Sequence, residues 1–424
     1  MQPTAESDGP ARTADAAGLE TMLRAARRDT LQTFEAFEAF EAPGASRGAR
    51  RHRARHDAAR WPHPTWVNPP RWEVGHVGWF AERWTARNPQ RHLGAAADPD
   101  APRTAAQRTD GDALYDSARV PQAARASLVL PGADALRDEL AARHESTIET
   151  LRAAGPHDAA LYFHRLVLAH EDMHHEAALY SAQAMGVPIE DARWQPAPRR
   201  HPRAPIALAA GDWTLGETGC GFAFDNELGA HAIALPEVEI DSRVVTWDEF
   251  LPFVESGGYA RPDCWDAAGA AWLARHRPAA PRYLRRVATG WQHWRHGRWR
   301  RLDLDLPACH LTAHEAQAWC RWAGRRLPAE AEWERAATER ADAFDWGAVW
   351  EWTASRFEPY PGFSPHPYRD YSAPWFGSRR VLRGASFMTQ PRLRHARFRN
   401  FFEPDRADLA AGFRSCADPG GPRL

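Results

Sequence analysis

Apolar residues recur every three to four positions in four stretches of the first 190 residues, and each stretch predicts an amphipathic helix. They cover residues 19–40, 71–84, 133–154 and 159–185. Between the first two lies a loop, residues 43–70, with a run of Arg (Arg47, Arg50, Arg51, Arg53, Arg55). Such a run reads first as solvated charge and only second as a substrate contact. Pro69 and Pro70 close the loop and launch the second helix. Residues 89–131 show no period, and residues 1–17 are small, polar and aperiodic, which predicts a disordered tail. Four helices with one or two long connections describe a four-helix bundle over residues 18–192, in which metal sites are built from facing helices.

Past residue 192 the pattern changes. Residues 193–205 are rich in Pro and Arg and form a linker between domains. From 206 to 418 the segments are short and rich in Gly, Trp and turn residues, with extended stretches at 206–215, 231–240 and 381–387. Short helical patterns intervene at 246–255, 312–323 and 330–338, so the second half is α+β. A chain of 424 residues is too long for one ordinary core, which agrees with two domains.

Composition narrows the function. A net charge of −1 gives no reason to expect a nucleic-acid partner. No apolar run has membrane-spanning length and the N-terminus has no signal-peptide pattern, so the expected location is cytoplasmic, away from membranes. Five scattered Cys without C-x-x-C spacing argue against disulfides or a thiolate zinc site. All 54 basic residues are Arg. With no Lys, a Schiff-base enzyme, a pyridoxal-phosphate enzyme and a P-loop NTPase are excluded. GC-rich coding is the simplest source of that absence. Of the 20 Trp, most must be core, and some could build an aromatic cage.

The chemistry concentrates in HEDMHHE at 170–176, inside the fourth helix. His170 and His174 are four residues apart and project from one helical face, where two imidazoles can grip one metal ion. The bland alternative is a His-rich polar surface. His76 sits among Trp72, Trp79 and Phe80 on the buried stripe of the second helix. It is a core His unless it supplies the missing third ligand. HExxH with Glu171 as base is also the signature of zinc metallopeptidases, a rival resting on a short motif.

The second half carries GDWTLG at 211–216, FDNE at 224–227, AQAWCRWAG at 316–324 and RLPAEAEWERA at 326–336. VWEWT at 349–353, VLRGASF at 381–387 and GFR at 412–414 follow in order. Together they resemble the formylglycine-generating-enzyme-like fold, a C-type-lectin-like variant. WEVGHVGWFAE at 72–82 and HEDMHHE resemble a DinB-type bundle. The two in this order resemble the EgtB family, the ergothioneine-pathway sulfoxide synthases, together with its selenoneine synthase branch, SenA.

That resemblance implies a non-haem Fe(II) held by three His, at positions matching His76, His170 and His174. It implies an O2-dependent reaction joining sulfur or selenium to imidazole C2 of hercynine (N-α-trimethylhistidine). Three imidazoles leave coordination positions open, as such a reaction requires. The family's Asn-Trp-Asp substrate segment corresponds to Asn400, Phe401 and Phe402, where aromatic faces would meet a trimethylammonium group. Tyr360 is expected as the catalytic tyrosine, with Phe363 as the alternative aligned position, and Met173 stands where relatives often carry Gln. Residues 112–121 lack the Arg pair that clamps a thiol substrate's carboxylates, and Phe402 replaces the Asp. Both departures fit a 1-selenosugar donor. The expected function is selenoneine synthesis, with a cysteine- or γ-glutamylcysteine-dependent sulfoxide synthase as the alternative. A lectin-like binding module would need no three-His site. Formylglycine generation would need a Cys pair, and Cys416 has no close neighbour in sequence.

Overall fold

The computed structural model describes residues 9–41, 67–219 and 221–417. The Arg run at 47–55 and Cys220 lie outside the described residues. Four long helices dominate the first half: α1 (Ala16–Glu41), α2 (Pro70–Trp84), α3 (Ala133–Arg152) and α4 (Asp158–Met185). Pro70 opens α2 at a position where no intrahelical N–H is needed, and Glu73 lies in its first turn, favourable for a negative charge. Gly186 ends α4 in the left-handed conformation, φ 75°.

Two glycines of α2 set its packing. A Cβ on Gly75 would stand 2.2 Å from the Tyr115 ring, and one on Gly78 would stand 2.8 Å from Leu140. Bare backbone there lets Tyr115 and α3 close onto the helix that bears His76. The stretch 89–131, expected to be irregular, is built of short turns and two brief helices, Gly111–Tyr115 and Gln122–Arg125.

The second half adds α5 (Trp247–Glu255), α6 (Ala267–His276), α7 (Ala313–Trp322) and α8 (Glu330–Glu339) around four small sheets. The strands are β1 (Pro205–Leu208), β2 (Gly211–Leu215), β3 (His231–Leu235), β4 (Val238–Asp241), β5 (Leu284–Val287), β6 (Gly290–Arg295) and β7 (Arg298–Arg301). They continue with β8 (Arg325–Arg326), β9 (Trp350–Arg356), β10 (Arg380–Arg383), β11 (Asn400–Phe402), β12 (Ala411–Gly412) and β13 (Cys416–Ala417). The sheet orders are β1-β4-β13-β8 and β11-β10-β9-β12, beside the β2-β3 hairpin and the β5-β6-β7 meander. Pairing of Val381 with Phe401 and Leu382 with Asn400 holds β11 at a sheet edge. Buried ion pairs lock the irregular interior: Arg414 with Glu351, and Arg383 and Arg399 with Glu330. Their burial is tolerable because each charge is paired and hydrogen-bonded.

The two halves share one apolar core, in which Leu166, Val167 and Ala169 of α4 cluster with Phe222, Phe224, Trp350 and Phe398. Residues 9–17 correct the expectation of a disordered tail. Pro10–Arg12 forms a 3-10 turn, the Gly9 N–H donates to Arg394 O at 2.9 Å, and Arg12 donates to Glu217 and to Phe222 O. The small polar residues there are ordered by long-range partners that no local pattern reveals.

Candidate metal centre

α4 distributes the seven residues from 170 to 176 over three surroundings. His170 and His174 face α2. Glu171 and His175 face α1, where Arg27 grips Glu171 through two N–H groups (2.8 and 3.0 Å) and His175 Nε2 meets Thr33 Oγ1 at 3.0 Å. Asp172 and Glu176 face the second domain. Arg392 donates to Asp172, and Glu176 accepts from Trp350 Nε1, Ser386 Oγ and Thr389 Oγ1, each at 2.8 Å. One helical segment therefore builds a site, ties the bundle together and joins the two domains.

His76 of α2 meets His170 and His174 so that the three can offer ligand nitrogens all within 4.8 Å of one another. Ring centroids lie 5.1 Å (His76 to His170), 4.8 Å (His76 to His174) and 4.3 Å (His170 to His174) apart. Two of the rings have their tautomer set by an acceptor. His76 Nδ1–H donates to the Tyr115 carbonyl at 2.7 Å, and His174 Nδ1–H donates to the Glu73 carboxylate at 2.5 Å. Each Nε2 is then left with its lone pair for a metal, and a carboxylate behind a ligating imidazole raises its basicity. His170 is 2 % exposed, and among the described residues neither of its ring nitrogens has a hydrogen-bond partner. A buried imidazole without partners is costly as it stands and fits a group that coordinates an ion.

Burial holds two of these rings, His76 and His170, neutral, the state that ligates. Burial, then the neighbouring His174, lowers His76 to about 3, and burial pushes His170 well below its usual value. Burial alone would raise Glu73, but His174, the Asn68 hydrogen bond and His76 together outweigh it and the carboxyl falls to about 2, so it stays ionised.

Aromatic rings wall the triad. Phe80 lies flat on His170 (3.5 Å, 1°) and Trp72 stacks on His76 at 4.7 Å. Tyr368 stands edge-on to Phe80 at 4.9 Å and 6.0 Å from His170. Tyr371 follows, 6.0 Å from Tyr368, its hydroxyl donating to Met173 Sδ at 3.6 Å. Its ring meets Phe401 edge-on at 5.7 Å. Met173 and Phe401 are thus linked to the triad's surroundings through a tyrosine pair that carried no signal in the sequence.

Other expected residues are placed differently. The Tyr360 hydroxyl donates to Glu330 and accepts from Arg383, while Arg399 lies over its ring at 3.9 Å. It is buried in the second domain, and none of these partners belongs to the triad. Phe363 packs against Phe376 at 5.0 Å, likewise among second-domain rings. Asn400 accepts from the Phe401 N–H, and Phe402 lies under Arg406 at 5.1 Å. Phe401 itself has one face covered by Phe357 at 3.9 Å. Glu73 could have been noticed from the sequence, since it lies three residues before His76 on the same helix. The Tyr115 carbonyl could not.

The fold and site define a class: a helical bundle bearing a metal-capable histidine triad, joined to a domain of the sulfatase-modifying-factor type. Residues 190–348 and 342–419 match the family described as "Sulfatase-modifying factor enzyme 1-like domain". Hercynine oxygenase from Mycolicibacterium smegmatis is 30% identical over 407 residues, spanning 83% of this chain and 91% of that protein. The Mycobacterium tuberculosis hercynine oxygenase is also 30% identical, over 408 residues with the same coverage. Formylglycine-generating enzyme from Streptomyces coelicolor is 27% identical over 318 residues, covering 55% of this chain and 96% of that enzyme. The chain belongs to the hercynine oxygenase family. No helix among the described residues is long and apolar enough to cross a membrane.

Proposed function

We propose that this protein is a non-haem iron oxygenase acting on hercynine, with Fe(II) held by His76, His170 and His174. The observation that carries the reading is the partnerless, buried His170 between two imidazoles whose Nδ1 atoms are already bonded elsewhere. Bound Fe(II) would supply the O2 chemistry that joins a chalcogen to imidazole C2. The chain's own residues orient the reactants around it. Glu73 and the Tyr115 carbonyl fix the rings of His174 and His76, while Phe80 covers a face of His170 and Trp72 a face of His76. Tyr368, whose ring lies 6.0 Å from His170, and Tyr371, whose hydroxyl meets Met173 on the same helix, are the residues we assign to moving a proton and meeting the trimethylammonium group. Tyr371 rather than Tyr360 is the hydroxyl that adjoins the metal helix, through Met173.

The donor we propose is a 1-selenosugar. A thiol donor of the cysteine or γ-glutamylcysteine kind brings carboxylates that need guanidinium partners. In the 112–121 segment the single Arg, Arg119, pairs with Asp116 and its side chain is 65% exposed. Arg125 is engaged with Asn68 and the Val120 carbonyl and lies over Trp72 at 3.8 Å. Arg406 is tied to Asp408. The metallopeptidase alternative loses its base, because Glu171 turns away from the triad into the grip of Arg27. A competition decides the donor: Fe(II)-loaded protein, hercynine and O2 with selenosugar, cysteine and γ-glutamylcysteine together, products weighed by mass spectrometry. A selenium adduct is expected. A predominant sulfur adduct would return the protein to sulfoxide synthesis, and no adduct with any donor would overturn the hercynine reading.

A further inference from the structure

Far along the chain from the histidine triad, and sharing no residue with it, a half-open hollow lies between the β5-β6 hairpin and the segment leading into α7. Its walls include Arg282, Tyr283, His293, Arg295, Cys309 and His310, with about 320 Å³ of space not filled by atoms. No Asp or Glu lines it. Arg295 is 6% exposed and its side chain has one hydrogen bond, from Nη2 to Gln195 Oε1 at 2.9 Å. Its guanidinium lies over the ring of Phe387 at 5.3 Å, and among the described residues it forms no ion pair. A guanidinium carries five N–H donors in a fixed fork, so a buried one with no carboxylate is an uncompensated cation.

Opposite it stands His310, 5% exposed. Its Nδ1 faces the Asp408 carbonyl at 3.2 Å, which requires the proton there, and among the described residues its Nε2 has no hydrogen-bond partner. The wall of the hollow thus contains an imidazole whose Nε2 keeps its lone pair. The backbone is held unusually as well: His310 (φ 62°) and Tyr283 (φ 65°) are two non-glycine residues in left-handed conformation, their rings 5.0 Å apart edge-on. Such conformations persist where the surroundings hold them, often at ligand sites. Burial and the nearby cations act together: Arg295 and Arg282 both add to the burial that keeps His310 neutral.

Donors on one side and a single acceptor on the other, in a positive hollow, select a particular ligand chemistry. We propose that this hollow binds a small oxyanion that keeps one O–H, hydrogenphosphate or hydrogencarbonate. The anion's oxygens accept from Arg295, and its hydroxyl donates to His310 Nε2. Sulfate and halides offer charge without the O–H and leave His310 facing an acceptor, an unfavourable pairing.

The test uses the full chain at constant ionic strength, with thermal unfolding and calorimetric titration against inorganic phosphate, hydrogencarbonate, sulfate and bromide. Phosphate or hydrogencarbonate is expected to bind saturably and raise Tm, with sulfate and bromide at least tenfold weaker. Arg295→Met should abolish the response while leaving Tm in anion-free buffer no lower than wild type, since an unpaired buried cation is gone. His310→Asn, tolerant of positive φ, should erase the preference for phosphate over sulfate. A crystal soaked in phosphate should show the anion between Arg295 and His310, independently of any variant. No saturable binding of either hydroxylated anion, or an undiminished response in Arg295→Met, would overturn the site. Equal binding of sulfate would overturn the role given to His310.

Discussion

At the scale of single residues, the metal centre depends on what lies behind its imidazoles. His174 and His76 each have one nitrogen bonded to an acceptor and one facing inward, while His170 has two nitrogens without partners. Glu73 is the most informative position to change. Glu73→Gln keeps shape but replaces an ionised acceptor with a neutral amide, which removes the charge behind His174. Loss of a partner of this kind lowers metal affinity by about 10–100-fold. Chelator competition with Fe(II) should show that drop with the fold intact by circular dichroism; an unchanged affinity would make Glu73 a bystander. The same scale explains where Tyr360 lies. Tyr360 was attractive because its loop lies where relatives carry a tyrosine, yet side-chain direction is set by Glu330, Arg383 and Arg399 from three distant segments.

At the scale of elements, α4 is where sequence and structure agree most closely. A four-residue His spacing on a periodic helix needs only helical geometry to put both rings on one face. Which partner each remaining polar residue would find was not legible, because those partners come from α1 and from residues more than 170 positions away. Glu176 is the sharpest case. Glu176→Leu strands Trp350 Nε1, Ser386 Oγ and Thr389 Oγ1 in the interior between domains. Each stranded donor costs about 1–3 kcal/mol. Urea unfolding should show destabilisation of at least about 2 kcal/mol, and a neutral result would mean that the interface repacks or admits water. The β5-β6-β7 meander was missed for a different reason: Arg and Trp fill its strands and blur the alternation. Its turn did carry a signal, His296-Gly297, both at positive φ as a two-residue hairpin requires. A Cβ on Gly297 would stand 2.5 Å from Gly186 O, so the hairpin docks tightly on the end of α4.

At the scale of the whole molecule, one apolar core and several buried charged networks hold two unlike halves together. The two-part organisation and the second domain's family were readable because short phrases such as RLPAEAEWERA and VLRGASF keep their order. Ordering of residues 9–17 was unreadable because Arg12 finds Glu217 only in three dimensions. Burial also shapes the response to acid. His144 and His164 are lowered to about 4 and His296 to about 3, in each case chiefly by burial, against 6.5 in the unfolded chain. Above about pH 6.5 neither state takes up protons at these rings. As pH falls from 6.5 toward 3 the unfolded chain binds protons that the folded chain refuses, so stability drops. Glu227, raised to about 7 by burial, acts oppositely, its contribution fading as pH rises from 4.5 through 7. Asp172, raised to about 6 by burial, acts as Glu227 does, but the lowered imidazoles, with His175 and His293 also near 4, outnumber both, and Tm should fall steadily between pH 6.5 and 4. A flat Tm over that range would show that the rings are solvated when folded.

The most direct test of the account is an anaerobic Fe(II) titration of wild type and His174→Ala, with bound metal counted and the fold followed by circular dichroism. The account predicts one Fe(II) per wild-type chain and none on a folded His174→Ala. A folded variant that retains iron at full stoichiometry would contradict it.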